Sequence, residues 1–182
     1  MTRGFLGNPQ LYLNTYFPWG PNLWVHGDRA MVDEDGYWYL LGRVDDLIVR
    51  AGVKHDPAKI EEKLATFPGP PRVREAVAVG AQDAIKGERI VCFVVLDSPV
   101  PAESKELVQA LRAHVKRTYD PLAQPDEIHF VSQLPVNYAA KVPRKLIRLV
   151  FEGKDLPGTG STANPEALDE IRQAAHAIKG KG

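Results

Sequence analysis

Cysteine is almost missing from this chain: Cys92 is the one cysteine in 182 residues, so no internal disulfide framework exists. Lying in the apolar run Ile90–Leu96, it reads as a small core residue of a protein from a reducing compartment. Net charge is missing too. The 23 Lys and Arg balance the 23 Asp and Glu, which leaves no electrostatic footprint for nucleic acid or an anionic membrane. No apolar run approaches the length that spans a bilayer, and the start of the chain lacks a signal-peptide pattern. The histidines, His26, His55, His114, His129 and His176, are scattered without the spacing of a zinc set. There is no Gly-rich, Ser/Thr-rich phosphate loop ending in lysine. The stretch Gly158-Thr159-Gly160-Ser161-Thr162-Ala163 has the form of a dinucleotide glycine pattern, yet no strand precedes it and no βαβ unit surrounds it. These absences point to a cytoplasmic protein whose partners include neither nucleic acid nor membrane.

What is present is ordinary globular material, 44% apolar and 25% charged, enough for one good core or for one domain and part of another. Residues 1–23 carry prolines and aromatics without a sustained period. Trp24 to Gly42 reads as strands joined at Asp33-Glu34-Asp35-Gly36, because Asp-Gly between apolar runs signals a hairpin. Beyond Asp46 a compact domain is expected. Pro57 sits at helix position N1 after Asp56 as cap, with Ile60, Leu64 and Phe67 as a helical stripe. Val73–Val79 and Ile90–Leu96 are β-rich. Ser104 opens a second helix with Leu107, Leu111 and Val115 on one face. Glu127–Val131 is a short strand. Arg144–Phe151 and Glu166–Ile178 are helices, the first with a basic face that reads as solvated. Helices mixed with a small sheet make an α+β fold.

The most informative stretch is Gly42-Arg43-Val44-Asp45-Asp46-Leu47-Ile48, whose Arg43 comes one hairpin after the His26-Gly27-Asp28 turn. An aspartate and an arginine so spaced can hold the two hydroxyls of a ribose and an adjoining phosphate. In order along the chain come Met1-Thr2-Arg3-Gly4-Phe5, Tyr12-Leu13-Asn14-Thr15-Tyr16, Val25-His26-Gly27-Asp28, Asp33 to Trp38, Gly42 to Ile48, Ala84-Ile85-Lys86-Gly87-Glu88, Leu134-Pro135 to Lys141, and Gly160 to Pro165. In these segments the chain resembles the C-terminal part of an AMP-forming acyl-CoA synthetase, of the acetyl-/propionyl-CoA branch of the adenylate-forming superfamily. The resemblance covers nearly the whole chain. It implies the end of an N-terminal adenylation domain and hinge over residues 1–45, as a β-hairpin with an irregular remnant of the large domain. It implies a small C-terminal lid domain with a terminal tail over residues 46–182.

By that resemblance, the reaction activates a short-chain carboxylic acid with ATP (and Mg2+) to acyl-AMP, then passes the acyl group to CoA, releasing AMP and pyrophosphate. Lys141 falls at the position of the catalytic lysine of adenylation, although Ala139-Ala140-Lys141 replaces the usual Ser-Gly-Lys and restricts the loop's φ. Asp28 resembles the ribose-binding aspartate. Arg43 resembles the arginine of ribose and phosphate. Lys54 stands where relatives carry an arginine for the outer phosphates, keeping charge but losing the bidentate fork. Asp45 falls at the hinge. Gly52 lets backbone approach the pantetheine arm, with Val53 a departure beside it. Lys116 stands where a basic residue meets the CoA nucleotide phosphate. Each has a plainer explanation: a solvated lysine at Lys141, a turn residue at Asp28, a surface ion pair at Arg43, a cap or ion pair at Asp45, a dipole-compensating lysine at Lys116.

The implied partners are the N-terminal adenylation domain of the same enzyme and a small carboxylic acid. The acid's pocket, the phosphate loop and most adenine contacts fall to that domain, so this chain by itself is expected to be inactive. A stand-alone CoA-binding or regulatory domain without catalysis is the alternative. A related adenylating enzyme with another acceptor is a third reading, against which the Met1–Tyr16 and Gly160–Pro165 stretches weigh.

Overall fold

In the computed structural model, residues 4–99, 104–154 and 162–179 are described. The chain divides into two compact units, Met1–Asp45 and Asp46–Gly182.

In the first unit, helix α1 (Pro9–Tyr16) starts where Asn8 accepts the Leu11 N–H at 3.0 Å and Pro9 takes the first turn. No apolar stripe marks it, because Tyr12 is its one buried residue. An aromatic cluster holds it instead. Tyr16 stacks on Trp24 with ring centroids 4.3 Å apart, and Tyr12 and Phe17 meet the same indole edge-on. Strands β1 (Asp28–Val32) and β2 (Trp38–Arg43) form the expected antiparallel hairpin, with Asp28 opposite Arg43. Its turn is organised by Asp33, whose Oδ1 accepts the Asp35 and Tyr37 amides at 3.1 and 2.9 Å. The Tyr39 hydroxyl, then the Tyr37 amide, hold the Asp33 carboxyl below the usual range.

The second unit is a sheet with helices on both faces. Strands β3 (Ile48–Arg50), β4 (Val53–His55), β5 (Val73–Asp83), β6 (Gly87–Leu96) and β7 (Glu127–Phe130) pair in the order β4-β3-β6-β5, with β7 parallel to β6. Since β5 covers β6 along its whole length, β3 and β7 share the other edge in succession. Helix α2 (Pro57–Ala65) begins as expected at Asp56, which accepts the Ala58 N–H at 3.0 Å. Helix α3 spans Lys105–Thr118; Ser104 occupies its cap position without a side-chain bond. Helices α4 (Arg144–Glu152) and α5 (Ala167–Lys179) complete the unit.

The period of two along β5 and β6 sorts their side chains into two cores. Val77, Val79, Ala81, Val91, Phe93 and Val95 pack with α4 and α5, while Ala78, Ile90, Cys92 and Val94 pack with Ile60 and Leu64 of α2 and Leu111 and Val115 of α3. Val73 joins the second set out of turn, because the register shifts between Val73 and Glu75. Burial on both faces explains why these strands read as continuous apolar runs rather than alternating ones. Cys92 is fully buried, and burial drives its thiol pKa far up.

The basic face of α4 is not solvated as expected. Arg144 forks onto Glu61 at 2.6 and 3.1 Å and reaches Asp46 at 3.4 Å, and Arg148 meets Glu88 at 2.7 Å. These guanidiniums knit α4 to α2, to the sheet and to the first residue of the second unit. Burial pushes the Glu61 carboxyl up, against the opposing pull of Arg144. Fork geometry of this kind suits arginine at half-buried sites.

Candidate functional site

The hairpin of the first unit brings three of the sequence-selected residues together. Register alone sets Asp28 opposite Arg43 at the open end of β1–β2. The Arg43 Nε donates to Asp45 Oδ1 at 3.0 Å, and its Nη1 donates to the His26 carbonyl at 3.0 Å and, more distantly, to Asp28 Oδ1 at 3.4 Å. His26 Nδ1 lies 2.5 Å from Asp28 Oδ2, a contact that reading the sequence passed over. Gly27 holds φ +84° between them, and a Cβ there would lie 3.1 Å from Arg43 Nη2. The turn is therefore glycine for both conformation and space. Arg43 is about half exposed, Asp28 a quarter and Asp45 nearly two thirds. The cluster presents acceptors and a planar donor to solvent, which suits a vicinal diol beside an anion.

Gly52 lies at the tip of the β3–β4 hairpin. Ala51 and Gly52 both hold positive φ, 50° and 79°, between paired Arg50 and Val53, as a two-residue primed turn requires. A Cβ on Gly52 would meet open space, so the turn's conformation sets the glycine. One strand pair, Arg50 with Gly87, joins this hairpin to β6, the Ala51 N–H donates to the Lys86 carbonyl at 2.7 Å, and polar side chains add to that anchorage. Glu88 Oε2 accepts the Val49 N–H at 2.6 Å. Arg50 donates to the Leu122 and Gln124 carbonyls and, at 2.8 Å, to Asp126, which Lys86 also meets at 2.7 Å. Ile48 and His55 are a buried cross-strand pair, with Ile48 in the core under α2 and α3. The next pair, Val49 and Lys54, therefore faces the side of α4.

Lys141 stands in a loop between Leu134-Pro135 and α4, exposed. The loop closes on Asn137. Its N–H donates to the Lys141 carbonyl, its carbonyl accepts from Ala140, and its Oδ1 accepts from both Ala139 and Lys141, all at 2.9 Å. Ala140 takes φ +56°. The loop thus keeps the left-handed residue that a glycine would adopt freely. Asn137 was not selected from sequence, although an asparagine two residues before a loop amide is a recognisable Asx-turn signal. Val142, next in the chain, packs on the core shared with α4 and α5.

Lys116 is exposed in the last turn of α3. Because Val115 belongs to the core under α2 and α3 and Val142 to the other, the segments carrying Lys116 and Lys141 lie on opposite faces of the sheet. Lys54 shares the Lys141 side. Among the described residues, no group of three His, Cys, Asp or Glu side chains is placed to hold a metal ion.

Comparison with known proteins gives these elements a context. The model of the AMP-binding enzyme C-terminal domain family matches residues 59–141. The acetyl-coenzyme A synthetase of Pyrobaculum aerophilum is 38% identical over 179 residues, covering 98% of this chain and 26% of that protein. Among solved structures, the ATP-bound RpMatB-BxBclM chimera B1 superposes with a TM-score of 0.69 at 30% identity over 82% of this chain and 28% of its own. Acetoacetyl-CoA synthetase from Streptomyces lividans shares the fold, with a TM-score of 0.75 at 22% identity over 94% of this chain and 25% of its own. The chain spans about a quarter of the length of the relatives it matches. Residues 59–141 thus carry the AMP-binding enzyme C-terminal domain, and the chain as a whole is similar to the C-terminal part of acetyl-coenzyme A synthetases, with the mixed helix-and-sheet fold of adenylate-forming enzymes.

Proposed function

We propose that this chain is the C-terminal portion of an acid–CoA ligase that converts a short-chain carboxylic acid and ATP to acyl-AMP and pyrophosphate, then transfers the acyl group to CoA and releases AMP. The observation that carries this reading is the 38% identity to an acetyl-coenzyme A synthetase across 98% of the chain. In this reading, residues 1–45 end the adenylation domain and supply the hinge, and residues 46–182 are the lid. The N-terminal adenylation domain of the same enzyme is the partner, and the cytoplasm is the compartment.

In the first half-reaction, an acid carboxylate attacks the α-phosphorus of ATP, so a cation must lie between two anions. Lys141 supplies that cation from its closed loop. Asp28 accepts from both ribose hydroxyls, and Arg43 spans ribose and phosphate, as the cross-strand pairing of the two residues supports. Lys54, on the Lys141 side of the sheet, neutralises the outer phosphates as a point charge. Mg2+ would enter with ATP and keep much of its water; among the described residues no set of acidic side chains would hold it, so this chain would supply charge rather than ligation. In the second half-reaction, the CoA thiol attacks the acyl carbonyl and AMP departs. The primed turn at Gly52 borders the pantetheine path, and Lys116, on the face opposite Lys141, meets the nucleotide phosphate of CoA. Torsions at Asp45 change between the two steps, which shields the acyl-adenylate from water.

The alternative of a non-catalytic CoA-binding or regulatory domain gains no support. Loss of the glycine before Lys141 would favour it, yet Ala140 holds the left-handed conformation regardless. The test separates the half-reactions in the intact synthetase, with acetate as the acid. Lys141→Ala should slow adenylation by roughly 10²–10³-fold, the scale for losing one preorganised charge, and leave transfer from pre-formed acetyl-adenylate nearly unchanged. Equal losses in both steps would remove Lys141 from the assigned role. The 182-residue chain alone should turn over nothing; full turnover would refute the division of labour.

A further inference from the structure

The loop that carries Lys141 is held from one side chain. Asn137 Oδ1 accepts two of its amides, those of Ala139 and Lys141, at 2.9 Å. The backbone of Asn137 closes the loop twice more, through the Lys141 carbonyl and the Ala140 N–H. One carboxamide oxygen therefore fixes the main chain of the lysine itself. Such order has a cost to overcome. Alanine in the left-handed region is disfavoured by about 1–2 kcal/mol, so Ala140 keeps its φ of +56° only where neighbouring bonds over-determine it.

Asn137 is in turn fixed from behind. It forms a β-bridge with Thr162, and the flanking Val136 is bonded on both its polar groups. Its N–H donates to Asn164 Oδ1 at 2.8 Å, and its carbonyl accepts from Ala163 at 2.8 Å. Asn164 Nδ2 donates further to the Leu134 carbonyl at 2.9 Å. Residues 162–164 thus form a strap beneath the loop, and α5, which follows the strap, packs into the same core as Val142 and α4. From core to strap to Asn137 to Lys141, each link is a short bond or a buried contact.

We propose that Asn137 is a positioning residue for adenylation: its carboxamide, backed by the Thr162–Asn164 strap, sets the main chain from which Lys141 projects. The proposal rests on the reading of Lys141 as the adenylation cation. A long, flexible side chain reaches a transition state efficiently only if its root is fixed, since a misplacement of about 1 Å can cost on the order of a hundredfold in rate. Leucine at 137 keeps the volume and removes the acceptor, whereas threonine restores a shorter one that caps loop amides more weakly.

The experiment uses the intact synthetase with acetate as the acid. It follows acetate-dependent exchange of pyrophosphate into ATP, thioester formation from pre-formed acetyl-adenylate, and hydrogen exchange of the 137–142 amides. Asn137→Leu should lower kcat for adenylation roughly ten- to a hundredfold, with KM for ATP and acetate and the thioester step changed less than about threefold. Exchange of the Ala139 and Lys141 amides should speed up, and Asn137→Thr should recover most of both losses. Lys141→Ala, run in parallel, keeps two failures apart. If it abolishes adenylation while Asn137→Leu leaves the rate intact, the positioning role falls and the lysine stands. If Lys141→Ala costs nothing, the lysine's role falls and takes the positioning role with it. Equal slowing of both half-reactions by Asn137→Leu would make the residue structural and overturn the proposal.

Discussion

Two backbone positions decide how the charged side chains are presented. Gly27 has φ +84° with Arg43 packed against the place a Cβ would occupy. Gly27→Ala should therefore destabilise the protein by about 1–2 kcal/mol in urea unfolding, from the left-handed penalty alone. By pushing the guanidinium away from Asp28 and Asp45, it should also raise KM for ATP in the proposed full-length ligase on the order of tenfold, the equivalent of about 1.4 kcal/mol. Ala140 is the reverse case, a side chain where glycine would be unstrained. Ala140→Gly should stabilise by roughly 0.5–1 kcal/mol, since relief of strain outweighs the added freedom of the unfolded chain, and adenylation should not slow. A lower urea midpoint for that variant would show that the loop carries no strain there.

At the scale of elements, the β3–β4 hairpin is the least conventionally held piece of the sheet. Part of its attachment runs through Glu88, whose carboxylate serves Val49 and Arg148 at once. Gly80 lies directly beneath, where a Cβ would come within 2.8 Å of Glu88 Oε2. Because that carboxylate is bonded on both sides, it cannot simply swing away. Gly80→Ala should cost about 1–3 kcal/mol, the usual range for overpacking, and should speed hydrogen exchange at the Val49 amide. In a Glu88→Ala background the same substitution should cost much less. A double-mutant cycle with no coupling would place the strain elsewhere.

This element also shows what the sequence reveals and what it hides. Helix α2 was legible because cap, proline and apolar stripe agree: Asp56, Pro57, Ile60 and Leu64 all do what their types favour, whereas Phe67 falls beyond the helix end at Ala65 and packs on the same core from the loop. The strands β5 and β6 were legible from their apolar runs, though the structure extends them to a tight turn at Asp83–Gly87. Strands β3 and β4 were not, since three residues each leave too short a run for any period, and Ala-Gly lacks the asparagine that usually marks such a turn. Helix α1 escaped because its burial is aromatic and nearly pointlike. For the site, Asp28 and Arg43 were legible as a hairpin pair, whereas Asn137 was legible only as a turn residue, since which amides reach its oxygen, those of Ala139 and Lys141, is set by the fold.

For the whole molecule, two buried histidines connect stability to pH. Burial lowers the pKa of His55, with Asp120 opposing and Arg50 assisting, and burial, then Arg117, lowers that of His114. Both fall from an ordinary value of 6.5. The unfolded chain therefore binds protons that the folded chain refuses, and stability is lost as pH falls below about 6.5. The urea midpoint should be nearly flat from about pH 7 to 8 and should drop steadily toward pH 5. Replacing both residues by glutamine should flatten that drop, even if the variant is less stable throughout. A slope unchanged by the double substitution would assign the acid sensitivity to carboxylates instead.

The sealed position of Cys92 bears on what this protein can be mixed with. Its single sulfur is fully buried and its thiol strongly disfavours ionisation, so the chain offers oxidised thiol cofactors nothing with which to form an adduct. In a ligase proposed to work beside a free thiol substrate, this segment therefore adds no site at which that substrate's disulfide could trap it. The same inertness makes the native chain a blank background for maleimide chemistry, where a cysteine introduced at any exposed position takes the whole label.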